Sequence, residues 1–264
     1  MARVLITGCS TGIGRAAAVE LTGRGHHVTA TARRPETLDG LDAAATAALD
    51  VDDPASIAAA VRAVGEIDVL VNNAGYAVVG PVERADLDEV RAMFETNVFG
   101  LARMIQAVAP QMRERGHGTI VNIGSIAGIV GAPLSGFYAA TKHAVEAITE
   151  SLHYELGHFG IGVTVVEPGG IATEFGANER HSGESEPPYD ELRRQWDAAS
   201  ANLTGDDPPG PEIVARAIAD VIEADEPPLR VAVGDDAEMI VAVRTSSDDA
   251  TFEATMRETL GLTW

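Results

Sequence analysis

Val4-Leu5-Ile6-Thr7-Gly8-Cys9-Ser10-Thr11-Gly12-Ile13-Gly14 joins a short apolar run to a helical pattern through a glycine-rich turn. An apolar strand that feeds a helix in this way opens a βαβ unit. Glycines at 8, 12 and 14 let backbone N–H groups approach an anion, and the N-terminus of the following helix favours negative charge there. The stretch therefore reads as a cradle for the phosphates of a dinucleotide. A glycine turn that merely connects two elements is the plainer alternative, and the spacing is GxxxGxG rather than the commoner GxGxxG.

Outward from this turn, apolar runs alternate with helical periodicity. Runs at Val4–Thr7, Val28–Ala32, Val69–Asn72, Thr119–Ile123 and Val163–Glu167 predict strands, with a weaker one at about Ala45–Asp50. Helical patterns lie between them at Ile13–Arg24, Pro54–Val64, Leu87–Arg115 and Tyr138–His158, followed by a helix at about Pro211–Ala224 and a strand at Arg230–Val233. Near-continuous apolar strands separated by helices predict an α/β fold: a Rossmann-type, doubly wound parallel sheet with helices on both faces. Residues 1–264 are expected to form a single domain, without internal repeats. The alternation breaks at Gly169–Gly210, rich in Pro, Gly and acidic residues; it is too long for an ordinary connection and reads as a lid or a disordered segment. The tail after Gly234 is acidic and helical in pattern.

Composition narrows the function classes. A net charge of −21 argues against nucleic acid or an anionic membrane as partner. No apolar run approaches a membrane span, and Met1-Ala2-Arg3 leads straight into the first strand, so a cytoplasmic protein is expected. One cysteine, Cys9, makes no disulfide framework, and no histidine spacing points to a metal.

Tyr138-Ala139-Ala140-Thr141-Lys142 opens a long helix with Tyr and Lys on one face. Lys142 is the only lysine in the chain, beside 18 arginines. Its placement implies a task for an ammonium that a guanidinium cannot take over.

With these motifs on view, the sequence resembles the short-chain dehydrogenase/reductase family, in its single-domain branch. The glycine turn is joined by Asn72-Asn73-Ala74-Gly75 after the fourth strand, Asn97 mid-helix, Ser125 thirteen residues before Tyr138, and Pro168-Gly169-Gly170-Ile171-Ala172-Thr173 after the sixth strand. Thr141 stands where Ser is commoner and keeps the hydroxyl. The resemblance implies a catalytic set of Asn97, Ser125, Tyr138 and Lys142. It implies dinucleotide contacts from Gly8, Ser10, Thr11, Gly12, Ile13, Gly14, Asp50, Val51, Asn73, Ala74, Gly75, Tyr138, Lys142, Pro168, Gly169, Ile171 and Thr173. It also implies a homodimer or homotetramer, with the helices Leu87–Arg115 and Tyr138–His158 at one interface; Met104, Ile148 and Leu152 are interface or core candidates.

An acidic residue at the end of the second strand commonly marks NAD. Here that position is Ala32, and Arg33 and Arg34 follow, so NADP(H) is favoured through bidentate binding of a 2′-phosphate. The expected chemistry is hydride transfer between NADP(H) and a carbonyl or secondary alcohol. Tyr138 is then the acid/base, Lys142 lowers its pKa and Ser125 orients the carbonyl; the resemblance further implies that Lys142 bonds the nicotinamide ribose and that Asn97 holds a water. Ala77–Val79, Ile126–Leu134, Phe175, Tyr189 and Trp196 suggest a hydrophobic substrate, in the manner of hydroxysteroid and retinol dehydrogenase-like members. An NAD-dependent alcohol dehydrogenase and a non-catalytic dinucleotide-binding regulatory protein are the alternatives.

Overall fold

The computed structural model describes residues 1–176, 179–183, 187–204 and 207–262. Strands β1 (Arg3–Ile6), β2 (His27–Ala32), β3 (Ala45–Ala48), β4 (Val69–Asn72), β6 (Gly118–Ile123), β7 (Ile161–Pro168) and β9 (Arg230–Val233) form a seven-stranded sheet in the order β3-β2-β1-β4-β6-β7-β9. Every pairing is parallel. Strand order reverses direction between β1 and β4, and their carboxyl ends frame a crevice, the place where such sheets bind ligands.

Period-two alternation assigns each strand residue to one face. In β1, Val4 and Ile6 pack with α1 (Gly12–Gly23) and α7 (Glu212–Glu223), while Leu5 points to the opposite side. That second core takes Leu70, Ile120, Val163 and Val165 from the sheet. It is closed by α2 (Pro54–Val64), α4 (Leu101–Arg115) and α5 (Gly136–Gly157). Helices thus cover both faces, as the sequence implies.

Three features refine or differ from the sequence expectations. The helix over Leu87–Arg115 is continuous but not uniform: α3 (Leu87–Phe94) passes into a π-helical turn, Glu95–Gly100, before α4. Met104 is fully buried, so it belongs to the core, and Ile148 and Leu152 pack partly buried against the same cluster. The exposed large apolar residues on these helices are Leu87, Phe99 and Tyr154. The third difference is within 169–210. There, β8 (Arg180–His181) pairs with β5 (Val78–Val79), and α6 (Asp190–Thr204) follows. The tail folds into α8 (Asp235–Ser246) and α9 (Asp249–Leu260), the latter resting on α6. Residues 177–178, 184–186 and 205–206 of the suggested lid lie outside the described residues. Among the described residues, no helix is long and apolar enough to cross a membrane.

Candidate active site

The turn after β1 is shaped by contacts no side chain there would permit. Gly8 has φ +74°, and a Cβ on it would stand 2.9 Å from the Ala74 Cα. A Cβ on Gly14 would run into the Asn73 side chain and the Gly8 carbonyl. Asn73 Nδ2 donates to the carbonyls of Thr7 and Gly8, both at 2.9 Å, while Thr7 Oγ1 accepts from the N–H groups of Asn73 and Ala74, both at 3.0 Å. Asn73 thereby staples the β4 end to the glycine turn. Thr11 caps α1 without a side-chain bond, and the first turn carries no acidic residue, so neither the cap nor the first turn supplies a counter-charge to the helix N-terminus.

A cleft of about 860 Å³ opens beside this turn. It is lined by Gly8, Ser10, Thr11, Gly12 and Ile13, by Arg33 and Arg34 after β2, and by Asp50 and Val51. Asn73, Ala74 and Gly75 continue the wall to Ser125, Tyr138 and Lys142, and Pro168, Gly169, Ile171 and Thr173 close it. Nearly all the predicted site residues therefore share one cavity. Gly14 and Asn97 do not line it: Gly14 is covered by Asn73, and Asn97 is buried behind Gly75.

The glycine cradle, the uncapped helix and two exposed arginines at the far end suit a long, anionic, two-headed ligand. The donor set fits a nicotinamide dinucleotide.

At the opposite end, Tyr138 faces Ser125, whose hydroxyl favours the ionised phenol. Ser125 Oγ also accepts from the Ala127 N–H at 3.1 Å, which fixes the serine at the head of a short turn. Lys142 is buried, and its Nζ donates to the Ile123 carbonyl at 2.8 Å. It lies 5.8 Å from the centre of the Tyr138 ring. Asn97 Nδ2 donates to the Tyr76 carbonyl at 2.9 Å and to Thr141 Oγ1 at 3.1 Å, and its Oδ1 accepts from the Tyr76 N–H at 3.1 Å. Thr141 Oγ1 in turn donates to the Tyr138 carbonyl at 2.7 Å. The hydroxyl that replaces the commoner serine is thus the link between Asn97 and the tyrosine's helix turn.

The electrostatics correct one sequence expectation. Loss of water pushes the Tyr138 phenol up to about 12; the Ser125 hydroxyl opposes this and Glu179 reinforces it. Burial likewise pulls the Lys142 ammonium down to about 8. Without cofactor the phenol stays above its ordinary value, because the loss of water outweighs the pull of Ser125.

The suggested substrate walls also change. Phe175 stacks obliquely on Tyr138, with ring centres 5.8 Å apart, and lines the cleft. Tyr189 instead lies 5.6 Å from the Arg84 guanidinium. Trp196 is not among the lining residues, and Ala77–Val79 are buried in and beside β5. The rim is more polar than expected: Tyr76, Glu179 and Arg180 border the cleft, and Arg180 sits 4.7 Å over the Tyr76 ring. Tyr76 directly follows the Asn-Asn-Ala-Gly motif, a signal that was legible. Glu179 and Arg180 had none, since only the β5–β8 pairing brings them near.

The fold and this cleft define a nicotinamide-dinucleotide-binding oxidoreductase of the Rossmann type. The chain belongs to the short-chain dehydrogenase family, whose description as a short chain dehydrogenase matches residues 2–184. Human retinol dehydrogenase 8 is 38% identical over 247 residues, covering 86% of this chain and 79% of that protein. A short-chain dehydrogenase from Streptomyces avermitilis superposes with a TM-score of 0.83 at 39% identity, covering 100% of this chain and 99% of the other. The closed form of a serine dehydrogenase complexed with NADP+ superposes with a TM-score of 0.74 at 31% identity, covering 87% of this chain and 93% of the other.

Proposed function

We propose that this oxidoreductase uses NADP(H) to interconvert a carbonyl compound and its secondary alcohol, with Tyr138 as the group that gives and takes the proton. The observation that carries the reading is the Ser125–Tyr138–Lys142 cluster at one end of a cleft whose other end presents Arg33 and Arg34. The cofactor, when bound, supplies the hydride and, once oxidised, a cationic ring. Everything else falls to the chain. Gly8 to Ile13 would hold the pyrophosphate against the start of α1. Arg33 and Arg34 bind a 2′-phosphate. Ser125 donates to the substrate carbonyl and steadies the oxygen as it gains charge. Tyr138 then releases its hydroxyl proton to that oxygen.

A phenol held at about 12 is protonated at neutral pH, which suits it to act as an acid. Lys142, at about 8, is mostly ammonium and can stabilise the tyrosinate left behind. Phe175 against Tyr138, together with the likeness to a retinol dehydrogenase, supports a hydrophobic substrate. Residues 1–264 would work as one domain, with 169–210 as the substrate cover. A homodimer or homotetramer with no metal and a cytoplasmic setting completes the proposal.

Tyr138→Phe is expected to lower turnover at least about 100-fold while NADPH affinity stays within a factor of about two. Retained turnover would rule out the assignment. Arg33→Ala is expected to weaken NADPH about 10- to 100-fold and leave NADH almost unaffected, the loss of one charge-assisted pair. Equal effects on both cofactors would contradict the NADP(H) preference.

A further inference from the structure

A second cluster of charge lies behind Lys142, and the reaction above makes no use of it. Glu146 stands one turn further along α5, and Glu167 is next to last in β7. Their side chains are only 8% and 2% exposed. A single guanidinium serves both: Arg230 Nε is 3.1 Å from Glu146 Oε2 and 3.6 Å from Glu167 Oε1. The same arginine also holds the more exposed Glu150 through Nη2 at 2.7 Å.

Two buried carboxylates that share one cation with a third cannot all stay ionised cheaply. Glu146 Oε1 and Glu167 Oε1 are both buried without a hydrogen-bond partner. A proton on either one supplies the missing donor. Burial and the neighbouring Glu167 push Glu146 up to about 7, against the pull of Arg230, and burial pushes Glu167 upward too.

The cluster is joined to the site by packing. The loop that presents Ser125 lies directly against Glu146: a Cβ on Gly124 would come within 2.9 Å of Glu146 Oε1, and one on Gly128 within 3.0 Å of its Cγ. Glu146 is also the charge that holds the Lys142 ammonium up against the cost of its burial. The groups facing this pair are Lys142 and Glu150 from α5 itself, Arg230 from β9, and the glycine loop, which brings no titratable side chain. Tyr138 stands one turn before the lysine on the same helix, with Lys142 Nζ 5.8 Å from its ring centre, and Glu179 acts on that phenol.

We propose that Glu146 and Glu167 hold one shared proton and act as the counter-charge that sets the charge state of Lys142. They are positioning residues that act through the lysine and touch neither substrate nor cofactor. The proposal rests on the reading of Lys142 as the partner of Tyr138. When the shared proton leaves, the added negative charge steadies the ammonium; when it returns, the lysine yields its own proton more readily.

Because Lys142 is the only lysine, the full-length protein labelled with [13Cε]lysine gives one resonance that reports this ammonium directly. The titration needs neither cofactor nor substrate. The wild type is expected to show a main inflection near about 8, preceded by a smaller step near about 7 as the carboxyl pair loses its proton. Glu146→Gln should lower the lysine inflection by about one pH unit and abolish the early step. Glu146→Asp keeps the charge and should restore the inflection, whereas Glu167→Gln should remove the early step alone. A lysine titration unchanged in Glu146→Gln, or an early step that survives Glu167→Gln, overturns the proposal. Should Glu146→Gln fail to fold, the Glu167→Gln result still decides. If Tyr138→Phe proves active while these titrations shift as expected, the catalytic reading fails and the charge coupling stands.

Discussion

Asn97 commits its side chain to the protein. Both amide hydrogens and one acceptor position of the oxygen are engaged by the Tyr76 backbone and by Thr141, which leaves the oxygen one further acceptor position. Its position still matters, because it ties the residue after the Asn-Asn-Ala-Gly motif to the helix turn that carries Tyr138. Asn97→Ala would leave the part-buried Tyr76 backbone and the buried Thr141 without these partners. It is expected to cost about 1–3 kcal/mol in chemical denaturation, with a larger loss of turnover than of NADPH affinity. Cys9 illustrates the opposite case. Its thiol is buried and pushed up to about 12, and it packs as a small apolar group rather than a nucleophile.

At the scale of elements, the π-helical turn Glu95–Gly100 is the least regular piece and lies beside the site. Such turns insert an extra residue into a helix and re-aim side chains, often at functional positions. Here the turn carries Asn97 inward and ends at Gly100, which meets the loop after β3. A Cβ on Gly100 would stand 2.8 Å from Val51 Cγ2 and 3.2 Å from its carbonyl oxygen. Gly100→Ala should therefore push Val51, a cleft residue, off its place. The expected outcome is a stability loss of about 1–3 kcal/mol by urea denaturation, together with weaker dinucleotide binding by fluorescence titration. The loop after β7 is held in a comparable way by the tail: Asp236 of α8 accepts from the Gly170 N–H at 2.7 Å, so the acidic tail braces a wall of the cleft.

For the whole molecule, the buried carboxyl pair has a consequence for stability. Glu146 and Glu167 bind protons more tightly in the folded chain than in the unfolded one. Their contribution is thus fully present below the ordinary glutamate value of 4.5 and is lost as pH rises through about 7. The net charge of −21 works in the same direction, since added negative charge raises self-repulsion. Melting temperature, followed by scanning calorimetry, is expected to fall from about pH 5 to about pH 8, and Glu146→Gln should flatten that slope. A melting temperature that climbs across this window would contradict the placement of the pair.

The sequence by itself determined the alternation of strands and helices, the glycine turn, and the catalytic-type residues in their order. Each of these is written locally: period-two and period-3.6 patterns, glycine where no Cβ fits, and a solitary lysine four residues after a tyrosine. Strands Val69–Asn72 and Arg230–Val233 and helix Pro54–Val64 fall where the pattern puts them. What only the tertiary structure decided depends on contacts between residues far apart in the chain. Glu179 and Arg180 reach the cleft because β8 pairs with β5, about one hundred residues earlier. Glu146, Glu167 and Arg230 meet because β7 and β9 lie side by side under α5. Tyr138 and Lys142 also carry their charge states for a tertiary reason. Helix spacing makes them neighbours, but desolvation and the Ile123 carbonyl decide how tightly each holds its proton.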